Sequence, residues 1–378
     1  MIQKKPVKFT IITHVPHGRI DGQFFAYAPY VREMNIWTKF ADAVQIVAPV
    51  ELNQKTAIHI DYEFPNIGFS AIKSMDLLGF KGVLRTFMHT PKTAVVIFKA
   101  MQQSTHIHLR CPGNIGLLGC LIQILFPRKI KTAKYAGNWD PKATQPFTYR
   151  LQKWILNNTF LTKNMTVLVY GQWGGASKNI MPFFTATYHD SDKKAVAARS
   201  LSEPVRFLFA GTLSPGKRPL YAIEIIKKLS EKGYDVSLDF FGEGSELPML
   251  QAFCNESHLN KRIHFHGNQQ EKTVRKAYTE SHFLILPSKS EGWPKVVAES
   301  MFWGCFPISS AVSCVPFMLD HGDRGLLLYM NIEQDIAQIE ELLQNQAVYN
   351  HKVAACIDWS RKYTLDLFEN QIKALVQQ

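Results

Sequence analysis

The feature that most constrains this chain is a cycle in its second half: a short apolar run, a loop carrying glycine, then an amphipathic stretch, repeated between residues 205 and 304. The runs 205–210, 236–241, 263–266 and 282–287 have the length and Val/Ile/Leu/Phe content of buried strands. The stretches 220–231, 247–256 and 271–280, and the pattern that stops near Gly304, have helical periodicity. Strands that alternate with helices over short loops join side by side in a parallel sheet covered by helices. Residues 307–309, 315–319 and 325–328 continue the sheet, 336–343 reads as a helix, and 359–376 as a last amphipathic helix.

In such a sheet the strand-exit loops share one edge, where ligands bind. The exit of 205–210 holds Lys217, and the exit of 282–287 holds Ser290-Glu291-Gly292-Trp293-Pro294-Lys295-Val296-Val297-Ala298-Glu299. Proline favours the first helical position, so Pro294 is predicted to open a helix and to leave Glu291 and Gly292 on the loop before it. A helix start attracts anions, and Gly292 admits close approach to the backbone. Glu299 then lies roughly 7.5 Å further along the axis, at about 1.5 Å per residue. A lysine, a helix start and two carboxylates on one edge suit a diphosphate, a sugar hydroxyl and a ribose. Taken singly, each fits an idle surface residue equally well; only their combination points to a site.

The first half follows the same grammar less regularly. Residues 7–13 read as a strand, followed by a loop containing Gly18 and Gly22 and a helix over 23–38. Strands are expected at 44–49, 106–110, 131–136 and 167–170, and helices at 115–126 and 147–156. The strand exits place Arg110, Asn114, Asn138 and Asp140 at the ligand-binding edge, as candidates for an acceptor site. Residues 72–101 mix Lys73, Lys81, Arg85, Lys92 and Lys99 with Leu77, Leu78, Phe80, Leu84, Phe87, Met88 and Val95 around Pro91. That is the composition of an interfacial membrane helix, and equally of a helix packed on a sheet. Residues 181–202 lack core periodicity and read as a linker.

Composition narrows the class. At 378 residues and 46% apolar content, the chain suits two soluble domains. The net charge of +12 is unevenly placed: residues 1–187 hold 22 Lys and Arg against 8 Asp and Glu, a balance of +14, and the remainder balances at −2. A basic half implies a polyanionic partner or a solvated face. No recognisable nucleic-acid motif accompanies it, so an anionic membrane surface or acidic substrate is the expected partner and nucleic acid is not. Residues 1–6 do not begin a signal peptide, and 115–126 falls short of a membrane span. The six cysteines, Cys111, Cys120, Cys254, Cys305, Cys314 and Cys356, show no paired spacing and read as reduced thiols of a cytoplasmic protein. His106 with His108, and His264 with His266, lack the partners of a zinc site, so no metal is expected.

In order and spacing, Phe209-Ala-Gly-Thr-Leu-Ser-Pro-Gly-Lys217, Phe241-Gly-Glu-Gly244, His266-Gly267, Leu286-Pro-Ser, the stretch from Ser290 to Glu299, Gly304 and Gly322-Asp-Arg-Gly325 make residues 205–328 resemble one family. It is the retaining GT-B glycosyltransferases with the E-x7-E motif, glycosyltransferase family 4 or "group 1". The resemblance implies an α/β fold of two Rossmann-like domains facing a cleft. It divides the chain into an acceptor-binding domain at 1–187, a nucleotide-sugar domain at 188–355, and a C-terminal helix at 356–378 that crosses back. It implies Glu291 near the donor sugar, Lys217 on the diphosphate and Glu299 on the ribose. Gly292, Trp293, Pro294, Lys295 and Val296 would offer the helix-start backbone, and Gly211, Thr212, Arg218, Gly267 and Asn268 would complete the donor site. No cofactor or metal is implied, because cationic side chains and the helix end stabilise the leaving diphosphate.

The chain departs from the family pattern in three places. Thr212 stands where an arginine is usual, leaving Arg218 or Lys295 to supply the second positive charge. Ser313-Cys314 replaces a pair of glycines. The family's acceptor-side histidine falls at Gly137-Asn138-Trp139-Asp140, where Asn138 or Asp140 is the substitute, and Gly22 matches the N-terminal glycine loop. The expected activity is retaining transfer of a hexose-type unit from a nucleotide diphosphate sugar to a hydroxyl of a glycan or lipid-linked glycan acceptor, at the inner membrane face, in cell-surface polysaccharide biosynthesis. A nucleotide-sugar epimerase of the same architecture and a non-catalytic nucleotide-sugar-binding module are the alternatives.

Overall fold

The computed structural model describes residues 6–56, 58–76, 79–202 and 204–377. Residues 1–5 and Leu77 and Leu78 of the basic-apolar stretch lie outside the described residues, as do the side chains of Phe80, Lys81 and Arg85. The chain divides into two compact units, one holding residues up to Phe183 together with those from Glu369 onward, the other Phe184–Phe368. The second unit therefore extends past residue 355. Helix Gln346–Ser360 packs within it, with the Tyr349 ring 5.4 Å from Phe283, and only the residues from Glu369 on belong to the first.

The first unit is built on strands β1 (Lys8–Ile12), β2 (His17–Ile20), β3 (Gln23–Tyr27), β4 (Ala43–Leu52), β5 (His59–Asp61), β6 (Gly68–Ile72), β7 (His106–Cys111), β8 (Ile130–Tyr135), β9 (Met165–Tyr170) and β10 (Ile180–Phe183). Their order is β10-β9-β8-β7-β1-β4-β2-β3-β5, with β6 also pairing β4. The central pairs are parallel, in register from Phe9 to Val44 on one side of β1 and to His106 on the other. Helices Gly79–Gln103, Asn114–Ile122 and Phe147–Leu156 bury Ile97, Met101, Ile115 and Ile155 against Ile12, Ile107, Leu109, Ala133 and Val167. Each such fully buried side chain stabilises the fold by roughly 1.5–3 kcal/mol.

Three sequence expectations are corrected. The helix predicted over 23–38 begins only at Ala28, because Asp21 (φ +48) and Gly22 (φ +83) form the tight turn of a β2–β3 hairpin pairing Ile20 with Gln23. The first half does not close at residue 170: β10 pairs parallel to β9 and takes the first residues assigned to the linker. Residues 315–319 are not a strand; Val315–Met318 is a short helix with proline in its first turn.

The second unit carries β11 (Val205–Ala210), β12 (Val236–Phe241), β13 (Ile263–Phe265), β14 (Phe283–Leu286), β15 (Phe306–Ser310) and β16 (Leu326–Leu328). Every pair is parallel and the order is β13-β12-β11-β14-β15-β16. Counted within the unit this is 3-2-1-4-5-6, the doubly wound order whose switch point lies between the first and fourth strands. The chain leaves β11 one way and reaches β14 the other way, opening a crevice at their C-terminal ends. Helices Pro219–Glu231, Leu247–Glu256, Glu271–Glu280 and Lys295–Phe302 are the crossovers. All six cysteines are buried and free. Among the described residues no helix is long and apolar enough to cross a membrane.

Candidate functional site

The switch point of the second unit is bordered by the exits of β11 and β14, the two loops that carry Lys217 and Glu291. Glycine makes their packing feasible. A Cβ on Gly242 would stand 2.0 Å from the Gly211 carbonyl oxygen, and one on Gly244 would stand 2.1 Å from that of Leu213. The exits of β11 and β12 therefore lie backbone against backbone, joined by Gly211 N–H to Phe241 O at 2.9 Å and Leu213 N–H to Glu243 O at 3.0 Å. Gly242 N–H in turn donates to Gly267 O at 2.9 Å, and Asn268 Nδ2 to Glu243 Oε2 at 3.1 Å. Gly211, Gly267 and Asn268 thus serve one knitted edge, while Thr212 is exposed on it.

Lys217 follows a turn closed by its own amide on Ser214 O, and the amide of Lys289 donates to Gly216 O at 2.8 Å, tying the two loops together. The result is a direct ion pair: Lys217 Nζ lies 2.5 Å from Glu291 Oε1, with side-chain exposures of 29% and 9%. The loop after β14 is fixed from below as well. Ser309 Oγ donates to Leu286 O at 2.9 Å and Ser310 Oγ to Ser288 O at 2.5 Å. The Gly292 carbonyl accepts from Ser313 Oγ at 3.3 Å and Cys314 Sγ at 3.0 Å. Ser313 adopts φ +51, the left-handed conformation a glycine readily supplies, and the Ser313 and Cys314 side chains grip the Glu291 loop.

Pro294 is the N-cap rather than the first residue of the helix, which starts one residue later than predicted, at Lys295. The Val297 amide donates to the N-cap Pro294 O at 3.0 Å, and the Lys295 and Val296 amides before it have no acceptor within the helix, the arrangement that suits an anion. The Trp293 side chain is 7% exposed and belongs to an aromatic cluster, its ring 6.2 Å from Trp359 and 5.8 Å from Tyr363. Trp293 therefore anchors the helix start, and only its backbone is placed for a ligand. Arg218 caps helix Pro219–Glu231 at φ +51 and lines a separate cavity with Tyr221, Glu246 and Lys289.

Glu299 is engaged at both oxygens: Thr187 Oγ1 donates to Oε1 at 2.6 Å and Tyr278 OH to Oε2 at 3.2 Å. Burial pushes its carboxyl above the ordinary range, against the pull of those two hydroxyls and Lys295. Neither Thr187 nor Tyr278 was legible in the sequence. Tyr278 is an apolar-face residue of helix Glu271–Glu280, and Thr187 falls in the stretch without periodicity.

In the first unit, the strand order reverses between β1 and β7, and Arg110 stands at that point. Its Nη1 lies 3.0 Å from Glu33 Oε1, which also lies 3.0 Å from Lys134 Nζ, a lysine whose side chain is fully buried. His14, at the exit of β1, joins the group: a Cβ on Gly113 would stand 2.9 Å from its Nδ1, and burial, helped by Arg110, holds its pKa down. The other candidates are held locally. Asn114 Nδ2 donates to Met75 O, Asn138 Oδ1 accepts from the Asp140 amide, and Asp140 Oδ1 accepts from the Lys142 amide. Gly22 tops the hairpin, separated from β7 in sheet order by β1, β4 and the hairpin itself. Among the described residues no group of three or more His, Cys, Asp or Glu is placed to hold a metal ion.

HepE of Anabaena, solved in complex with UDP, superposes with a TM-score of 0.68 at 13% identity, covering 97% of both chains. The two-domain GT-B architecture is thereby the fold of this chain. An uncharacterized glycosyltransferase of Haemophilus influenzae is 29% identical over 34% of this chain and 36% of its own length. The lipopolysaccharide 1,6-galactosyltransferase of Escherichia coli K12 is 25% identical over 45% of this chain and 48% of its own length. The matches to these two relatives thus span about a third and about half of their respective lengths. The family model that the chain matches is "Glycosyl transferases group 1", over residues 190–359, the segment that holds the whole Lys217–Glu291–Glu299 edge.

Proposed function

We propose that this protein is a retaining glycosyltransferase that moves a hexose-type unit from a nucleotide diphosphate sugar to a hydroxyl of a glycan or lipid-linked glycan, in cell-surface polysaccharide synthesis at a membrane face. The observation that carries the reading is the Lys217–Glu291 ion pair at the switch point, with Glu299 on the helix that follows the Glu291 loop. Lys217 and the amides of the first helical turn neutralise the leaving diphosphate, doing the work a metal ion does elsewhere. Glu291 positions the donor sugar and Glu299 the ribose. As the anomeric C–O bond to phosphate breaks, the acceptor oxygen forms its bond on the same face and passes its proton to the departing phosphate oxygen. The polysaccharide role is supported by the name of the E. coli relative, and the UDP donor by the UDP bound to HepE. The basic balance of residues 1–187 suits an anionic membrane bearing the acceptor.

The test is calorimetric titration with a panel of nucleotide sugars, followed by transfer assays with the donor that binds. One donor should bind, chelator should leave the rate unchanged, and the product anomer should match the donor's. No binding by any donor overturns the reading. Thr212, in place of the usual arginine, favours a non-catalytic binding module as the second reading; transfer that disappears in Glu291→Ala excludes it.

A further inference from the structure

Helix Gly79–Gln103 presents a face that none of the described residues covers. Leu84, Phe87, Met88, Val95 and Phe98 recur at helical spacing and are 51%, 78%, 63%, 52% and 36% exposed, while Thr86, Thr93, Ile97 and Met101 on the opposite face are buried. The stripe continues beyond the helix, where the Phe98 ring lies 5.1 Å from Phe126 and is followed by Leu125 at 66% exposure. Cations border it. Lys92 and Lys99 are exposed along one edge, Lys129 Nζ sits 5.6 Å over the Phe126 ring, and the helix contains no Asp or Glu. Beside Lys92 opens a cavity of about 210 Å³, where Lys73, His89, Lys92 and Thr93 face a floor of Ile72 and Val96.

An apolar stripe bordered by cations, on the unit that carries the +14 balance, is complementary to an anionic bilayer; the Asp76 carboxylate lies at the start of the helix, against Gly82. We infer that helix Gly79–Gln103 docks the protein on an anionic membrane, with Leu84, Phe87, Met88 and Val95 entering the interface and a phospholipid phosphate seated between Lys73 and Lys92. This rests on the proposed membrane-borne acceptor for its purpose, but it is tested without transfer. Phe87 and Met88 are surface residues, so replacing them leaves the core untouched.

The experiment is sedimentation of the whole protein with vesicles of equal parts phosphatidylglycerol and phosphatidylcholine, against phosphatidylcholine alone. Wild type should sediment with the anionic vesicles only. Phe87→Ser/Met88→Ser should weaken that binding by roughly tenfold or more, the scale of two large apolar side chains withdrawn from the interface. Lys73→Gln/Lys92→Gln should weaken it also, with thermal unfolding and nucleotide-sugar binding unchanged in both variants. Because the native cysteines are all buried, Phe87→Cys can be labelled with an environment-sensitive dye, whose emission should shift to the blue on anionic vesicles. Wild type that ignores anionic vesicles overturns both the docking and the membrane reading. Wild-type binding that the Phe87/Met88 pair does not alter, with no dye shift, overturns the helix assignment alone; loss of donor binding in wild type would strike the enzymatic reading and leave this one standing.

Discussion

Lys217 and Glu291 neutralise each other in the unliganded chain, and this has a consequence for binding that differs in sign between the two residues. For a diphosphate to engage Lys217, the ammonium must leave or share its carboxylate. Lys217→Ala removes a charge-assisted contact worth about 1.5–3 kcal/mol, so UDP should bind roughly ten- to a hundredfold more weakly. Glu291→Ala removes the competitor: UDP should bind as well as to wild type or more tightly, although sugar transfer falls by a hundredfold or more. Stability should change the other way. Without Lys217, a carboxylate only 9% exposed has lost its cation, which costs about 1–3 kcal/mol, less than for a fully buried pair because Lys217 itself is 29% exposed. Titration calorimetry with UDP alone and chemical denaturation of both variants and the double variant measure these terms. If Glu291→Ala weakens UDP as much as Lys217→Ala does, the ion pair is not the diphosphate's competitor and the proposed division of labour fails.

Other consequences follow from the geometry. Glu299 has its carboxyl raised by burial, so the folded state binds that proton more tightly than the unfolded chain; its contribution to stability is fully present below the ordinary value of 4.5 and is lost as pH rises through the raised value. Glu299→Gln should flatten that slope in pH-dependent denaturation while weakening nucleotide binding. Gly242→Ala should destabilise the second unit by about 3 kcal/mol or more, since its Cβ would sit 2.0 Å from a backbone oxygen at φ +145, seen as a lowered denaturation midpoint. Glu33→Gln leaves Arg110 and the buried Lys134 without their shared carboxylate and should cost about 3–5 kcal/mol, with melting of the first unit as the readout.

The second unit was legible because its local and tertiary signals agree: strands 205–210 and 236–241 and helices 247–256 and 271–280 fall where the apolar periods place them. Helix Gln346–Ser360 escaped because its apolar Ala347, Val348 and Ala354 are exposed and polar Ser360 shares the buried face with Tyr349, Cys356 and Trp359, which blurs the helical period. The Asp21-Gly22 hairpin is written in the chain as a two-residue turn between apolar runs, but the apolar pattern of its second strand, from Gln23, runs on into the helical pattern of residues 28–38. At the site, residue types at strand exits could be read, and their pairings could not. Nothing in spacing says that Thr187 meets Glu299, or that Ser313 and Cys314 hold Gly292 rather than merely replacing glycines, because those contacts depend on rotamers and loop paths set by the whole sheet.

The return of the residues from Glu369 onward to the first unit, where Glu369 meets Lys39 at 3.0 Å, gives the chain an order of assembly. The first unit is assembled from two stretches of chain, and the whole second unit lies between them in the sequence. The second unit is contiguous and has every residue it needs before those from Glu369 on are made. It should therefore become protease-resistant first on the ribosome, while the first unit waits for the final helix and keeps its apolar seat for Ile372 and Val376 exposed to chaperones until then.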